Sequence, residues 1–109
     1  MDLGIRDKVA IVTGGSRNLG YEVSRELVNE GCKVFIMARH EDSLKRALAE
    51  LDAPGDRVTG ATGNLLDKND VRRVFAIARE SFGPADILVY NNSGPPNASF
   101  EEATDEEYR

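Results

Sequence analysis

Cysteine is nearly missing: Cys32 alone serves a chain of 109 residues, so no internal disulfide can form. Its place at the start of an apolar run reads as a small buried hydrophobe rather than a nucleophile. Basic charge in excess is missing too. Fourteen Lys and Arg stand against nineteen Asp and Glu, a net charge of -5, and no basic stripe exists to neutralise phosphates. That argues against nucleic acid and membrane surfaces as partners. The five acids between Glu101 and Glu107 read as a solvated face. No apolar run approaches a membrane span, and Met1-Asp2-Leu3-Gly4-Ile5-Arg6-Asp7 lacks the apolar stretch of a secretory signal. The default expectation is a cytoplasmic protein. What remains, 40% hydrophobic and 30% charged residues, describes one globular domain over residues 1–109 with room for a modest core.

Short apolar runs alternate with helical patterns, which predicts a parallel sheet wound by crossover helices. The first run is Val9-Ala10-Ile11-Val12. A glycine turn follows, then Leu19, Val23 and Leu27 recur at a spacing of four until Gly31, placed as a helix C-terminal glycine. Val34-Phe35-Ile36-Met37-Ala38 is apolar throughout, as a strand buried on both faces should be. Leu44, Ala47, Leu48 and Leu51 make one helical stripe that closes at Ala53-Pro54-Gly55. A third strand, diluted by Thr and Gly, is expected around Arg57 to Gly63. Val71, Val74, Phe75 and Ala78 then mark a helix stopped by Gly83-Pro84. Ile87-Leu88-Val89-Tyr90 is the fourth strand.

Beyond Gly94-Pro95-Pro96, the segment Thr104-Asp105-Glu106-Glu107 has the pattern of a capping box, which opens a helix two residues before the last one. A helix abandoned there buries nothing, and the fourth strand is left as an apolar edge. The expectation is therefore a truncated domain, incomplete at its C-terminus. No repeat or linker suggests a second domain.

The segment carrying chemistry is the turn after the first strand, Thr13-Gly14-Gly15-Ser16-Arg17-Asn18-Leu19-Gly20. Glycines allow a tight turn, let backbone N–H groups approach a pyrophosphate, and let the helix pack on the sheet. The helix N-terminus adds partial positive charge. A bare strand-to-helix turn needs the same glycines.

Three motifs together resemble the short-chain dehydrogenase/reductase family. Thr13-Gly14-x-x-x-Asn18-x-Gly20 is similar to its T-G-x-x-x-G-x-G phosphate loop. Asp86-Ile87-Leu88-Val89-Tyr90-Asn91-Asn92-Ser93-Gly94 resembles its D-I-L-V-N-N-A-G strand, and Asn64-Leu65-x-Asp67 its D-V/L-x-D segment. The resemblance runs from about Asp7 to the last residue, with members similar to 3-oxoacyl-acyl-carrier-protein reductases nearest in pattern. It implies a Rossmann-type, doubly wound α/β fold of four strands alternating with three helices, spatial order 3-2-1-4. It also implies a cofactor held at the carboxyl ends of strands one, two and four. The candidate cofactor-binding positions are Gly14, Ser16, Arg17, Asn18, Leu19, Gly20, Asn64, Leu65, Asn91, Asn92 and Ser93 from these motifs, with Arg39 added by the charge argument below. No metal ligand is among them.

The sequence departs from the family pattern in three places. Asn18 replaces the middle glycine of the loop, which is expected to lower affinity, although asparagine tolerates left-handed φ. One extra residue leaves two registers open for the fourth-strand motif, Asn91-Asn92-Ser93-Gly94 or Tyr90-Asn91-Asn92-Ser93, with Asn91 common to both. Asn64 stands where the family has an acid. It either meets the adenine edge as an amide, donor and acceptor at once, or serves as a strand-end turn residue. Ser16 likewise either meets a phosphate or caps the following helix.

Charge predicts which cofactor. An NAD(H) site wants a carboxylate near the end of strand two for the ribose 2′-hydroxyl, and a carboxylate repels a 2′-phosphate. Ala38 and Arg39 stand there instead. Arg39 and Arg17 converge at the adenosine end with guanidinium forks suited to phosphate, which predicts NADP(H) over NAD(H). Taken as solvated loop charges, they leave the missing acid unexplained. His40 reads as a surface histidine beside that place.

The family resemblance implies catalysis by a serine, a tyrosine and a lysine four residues after that tyrosine. No Tyr-x-x-x-Lys occurs: Tyr21 is followed by Arg25 at that offset, Tyr90 by Gly94, and Tyr108 by one residue only. No catalytic residue is assigned, because hydride transfer to a ketone would build alkoxide charge with no acid to quench it. The expected parent is an NADP(H)-dependent oxidoreductase acting on a small-molecule carbonyl or alcohol, homo-oligomeric as such relatives are, while the 109 residues alone are expected to be inactive. Two other classes stay open. One is a non-catalytic nucleotide-binding fragment. The other is a methyltransferase-like Rossmann domain, against which the two arginines argue, since S-adenosylmethionine has no 2′-phosphate.

Overall fold

The computed structural model describes residues 4–14 and 18–90, Asn18 by its backbone alone. Seven elements follow in order: β1 (Val9–Thr13), α1 (Asn18–Asn29), β2 (Lys33–Ala38), α2 (Glu41–Leu51), β3 (Val58–Thr62), α3 (Lys68–Phe82) and β4 (Ile87–Tyr90). The four strands form one sheet in the order β3-β2-β1-β4, with every neighbouring pair parallel. This is the doubly wound arrangement that the alternating pattern predicts.

The period-2 geometry of a strand sorts the side chains of β2 onto opposite faces of the sheet. Val34, Ile36 and Ala38 meet Val12, Leu44 and Val58, with Leu27, Val28, Leu48 and Leu51 of α1 and α2 packed against them. Phe35 and Met37 meet Ile11, Val74 and Ala78, joined by Val71, Phe75, Ile77 and Phe82 of α3. Helices therefore cover both faces of β2, which is why its run from Val34 to Ala38 is buried throughout. The rings of Phe35 and Phe82 meet edge to face, centroids 6.4 Å apart.

Local chemistry sets the helix ends. After α1 the Gly31 N–H donates to the Val28 carbonyl and the Cys32 N–H to the Leu27 carbonyl, each at 3.0 Å. These are the paired bonds of a Schellman motif around a left-handed glycine, and Gly31 has φ 89°. At α3 the Asp67 side chain accepts from the backbone N–H groups of Asn69 and Asp70, as an N-cap aspartate should. The stop after α2 differs from the expected Ala53-Pro54-Gly55: Asp52 itself takes the left-handed conformation at φ 48°, before Pro54 is reached.

The stripe expected along α1 also shifts. Leu19 is 68% exposed and Val23 and Leu27 are half-buried, while Gly20 and Ser24 lie buried against the sheet. The Ser24 hydroxyl turns back to the Gly20 carbonyl at 2.9 Å. A helix that opens on a small residue can sit close to the strands, and the leucine before it is then left on the solvent side. In β3, Gly60 is a requirement of packing rather than a weakness: a Cβ there would press on the Ile36 carbonyl and lie 2.9 Å from Leu44 Cδ1.

β4 forms the edge beyond β1. Asp86 anchors its start, accepting from the Val9 N–H through Oδ2 at 3.0 Å and donating its own N–H to the Val9 carbonyl at 2.8 Å. Ile87 and Val89 pack on the core while Leu88 is 53% exposed, the apolar edge expected of this strand. Cys32 is buried as expected, and its Sγ donates to the Ile5 carbonyl at 3.3 Å. Among the described residues, no helix is long and apolar enough to cross a membrane.

Candidate functional site

In a doubly wound sheet the crevice outside the carboxyl ends of the strands is where ligands bind, and among the described residues Gly14, Arg39 and Asn64 stand at those ends. β1 runs out at Thr13 into Gly14, whose φ of 68° lies in the left-handed region. The Gly14 N–H donates to the Met37 carbonyl at 2.7 Å, and the Gly63 N–H to the Ala38 carbonyl at 2.9 Å. These two bonds tie the ends of β1, β2 and β3 into one rim. Thr13 Oγ1 reaches the Val89 carbonyl of β4 at 3.4 Å. The first turn of α1 carries no acid, so its N–H groups present their partial positive charge undiminished.

Beside this rim an open cleft of about 290 Å³ lies between the ends of β2 and β3 and the start of α3, lined by Arg39, His40, Thr62, Gly63, Asn64, Asp70 and Arg73. Arg39 is exposed, and among the described residues no carboxylate pairs with it. The acids that begin α2, Glu41 and Asp42, stand outside the cleft lining, and Glu41 pairs with Lys45 at 3.4 Å.

One carboxylate, Asp70, does line the cleft, and it is engaged. Its Oδ2 accepts from the Asn64 N–H at 2.9 Å and its Oδ1 lies 3.6 Å from Arg73 Nη2. That same Nη2 donates to the Thr62 carbonyl at 2.8 Å. Asn64 Oδ1 in turn accepts from the Leu66 N–H at 2.9 Å, and the Asp67 N–H returns to the Asn64 carbonyl at 3.0 Å. Asn64 is therefore a turn residue, one of its two expected roles, and a cleft-lining residue as well. Leu65 directs its side chain into the cluster with Phe35, Met37 and Val74.

Of the expected site residues, the fold brings Arg39 and Asn64 to one cleft and places Gly14, Leu19 and Gly20 at the β1–α1 corner, where Asn18 opens the helix. Ser16, Arg17, Asn91, Asn92 and Ser93 lie outside the described residues, as do both registers of the fourth-strand motif and the Thr104–Glu107 capping box. Asp70 and Arg73 were not legible as cleft residues. Their signal is the Asp67-x-x-Asp70 pattern with Arg73 three residues on, which puts both side chains on one face at the start of α3.

The family model of the short chain dehydrogenases matches residues 8–109. The chain belongs to that family. It resembles the L-sorbose reductase of Gluconobacter frateurii, solved with NADPH and L-sorbose, at 36% identity and a TM-score of 0.81, over 99% of this chain and 41% of that one. An actinorhodin polyketide ketoreductase variant solved with NADPH is 33% identical, with a TM-score of 0.78 over the same shares of the two chains. The NADP-dependent (R)-specific alcohol dehydrogenase of Lentilactobacillus kefiri is 32% identical over 105 residues, 96% of this chain and 41% of that protein. The chain spans about two fifths of the length of these relatives.

Proposed function

We propose that this chain is the NADP(H)-binding portion of a short-chain dehydrogenase that moves hydride between the nicotinamide and a small carbonyl or alcohol substrate. The observation that carries the reading is the end of β2. Where an NAD(H) site needs an acceptor for the ribose 2′-hydroxyl, an exposed arginine stands at the mouth of a cleft, and the nearby acid Asp70 is turned toward Asn64 and Arg73. Two relatives solved with NADPH and one named NADP-dependent support the same choice.

The fit to a dinucleotide rests on three features of the chain. Gly14 supplies the left-handed turn and α1 the acid-free N-terminus that a pyrophosphate needs. Arg39 offers charge-assisted donors to a 2′-phosphate, and in this reading Arg17 joins it. In this reading Asn64 stands beside the adenine with Leu65 packed behind it in the core, while Ser16, Asn18, Leu19, Gly20, Asn91, Asn92 and Ser93 complete the phosphate and ribose contacts. When bound, NADPH would supply a hydride, and this chain's residues would hold and orient the dinucleotide.

Direct titration of the chain with NADPH and NADH, followed by calorimetry, tests the reading. A charge-assisted contact is worth about 1.5–3 kcal/mol, so NADPH should bind at least about tenfold more tightly. Equal affinity, or none for either, refutes it. A second reading is nucleotide binding without catalysis. NADPH-dependent reduction of a ketone by this chain alone would exclude that alternative.

A further inference from the structure

The end of the sheet opposite the cleft is covered by residues 4–7, and little holds them there. Ile5, half-buried, packs on the cluster that contains Cys32 and Val34, and its carbonyl accepts from Cys32 Sγ at 3.3 Å. The Asp7 N–H donates to the Gly31 carbonyl at 2.9 Å. Arg57, at the entry to β3, grips the same place twice: Nη1 donates to Asp7 Oδ1 at 2.8 Å, and Nη2 donates to the Gly31 carbonyl. One guanidinium thus joins the segment before β1, the corner between α1 and β2, and the entry to β3. Against these contacts stands the left-handed backbone of Asp7 at φ 65°, a conformation that residues other than glycine seldom adopt. Arg6 and Asp7 are themselves exposed.

We infer that residues 4–7 form a strap that opens as a unit while the sheet stands, and that Arg57 is its clasp. Opening breaks the Asp7 bond to Gly31, the Arg57 pair with Asp7 and the Cys32 contact with Ile5, and it takes one apolar side chain, that of Ile5, out of the cluster. The strand register from Val9↔Lys33 onward is untouched. A local opening that gives up so few buried contacts costs far less than global unfolding. Cys32, 1% exposed and the one thiol of the chain, lies beneath the strap and reports on it. The inference is independent of the dinucleotide reading, which concerns the other end of the strands.

The test is the rate at which iodoacetamide alkylates Cys32 in the folded chain, measured where that rate is proportional to reagent and so follows the fraction open. Wild type, Asp7→Asn and Val74→Ala are compared, and urea unfolding gives the global stability of each. Asparagine tolerates the left-handed φ and removes the charge. For a pair whose side chains are 31% and 65% exposed, that loss should raise labelling about two- to fivefold. Val74→Ala trims the buried cluster on the α3 side of the sheet and should make global unfolding about thirtyfold or more frequent. Labelling of Cys32 without urea should nonetheless change by less than about twofold, because the strap opens without disturbing that cluster. Low urea should likewise leave the wild-type rate nearly flat, since little surface is exposed. Labelling that climbs with Val74→Ala in step with global stability, or with urea at the slope of global unfolding, overturns the strap. A rate unmoved by Asp7→Asn overturns the clasp.

Discussion

Gly63 lines the cleft, and directly beneath it lies Val74, wholly buried on α3. A Cβ built on Gly63 would come within 2.9 Å of both Val74 Cγ2 and Met37 Cε, closer than real Cβ contacts come. Gly63→Ala therefore overpacks the joint between β3 and α3, at a cost of about 1–3 kcal/mol. Val74→Ala removes two methyl groups from a site with no solvent access. Transfer alone costs about 1.6 kcal/mol at 0.8 kcal/mol per buried methylene, and the cavity left behind brings the loss to about 2–3 kcal/mol. Made together, the changes compensate: the space vacated by Cγ2 is the space the new Cβ needs, and the flexible end of Met37 can yield. The double variant should be more stable than the sum of the single losses by about 1 kcal/mol or more, a coupling typical of residues in contact. Urea denaturation with the linear extrapolation measures all four members of the cycle. Strict additivity would refute the packing argument and show that Gly63 is needed for some other reason.

Arg39→Ala should weaken NADPH by about 1–2 kcal/mol, roughly five- to thirtyfold, with NADH little changed; equal losses for both would show that the arginine does not read the phosphate. At the far end of the sheet, Arg57 Nη1 donates to Asp7 Oδ1 at 2.8 Å, and this guanidinium holds the Asp7 carboxyl below its usual range. A depressed acid stabilises fully above its unfolded pKa of about 4, and that contribution is lost as pH falls through the lower folded value. Urea midpoints should fall across that acid window, and less so in Asp7→Asn, which keeps the left-handed φ of 65° at this position tolerable; identical pH profiles would remove the pair from the account. Burial, and then the nearby Glu30, pushes the Cys32 thiol up. A thiol reagent at neutral pH should therefore label Cys32 only at the rate of unfolding or local opening, and rapid labelling of the folded chain would contradict its burial.

Element type and order were legible because they depend on periodicity. The unbroken apolar run from Val34 to Ala38 is a strand covered on both faces, and the stripe of Val71, Val74, Phe75 and Ala78 is a helix covering one of those faces. Gly31 and Gly83 were legible as boundaries because a glycine with positive φ at a helix end is local chemistry. The described part of the candidate site was placed at strand ends for the same reason. The glycine turn, the arginine after the second strand and the asparagine after the third each sit at a strand end, and strand ends can be read from sequence.

Distances in space could not be read that way. The sequence predicted a Leu19 stripe, and the close seat of Gly20 and Ser24 on the sheet put that leucine in solvent instead. It marked Gly60 as a dilution of the third strand, whereas the approach of Leu44 and the Ile36 carbonyl leaves no room for a side chain. Asp70 and Arg73 became part of the candidate site only when α3 docked beneath the end of β3, and Asn64 acquired a defined amide orientation only when the Leu66 N–H reached its oxygen. Strand, helix and turn follow from neighbours along the chain. Which atoms face a ligand follows from contacts between elements, and those are determined only once the two clusters on either side of the sheet have closed.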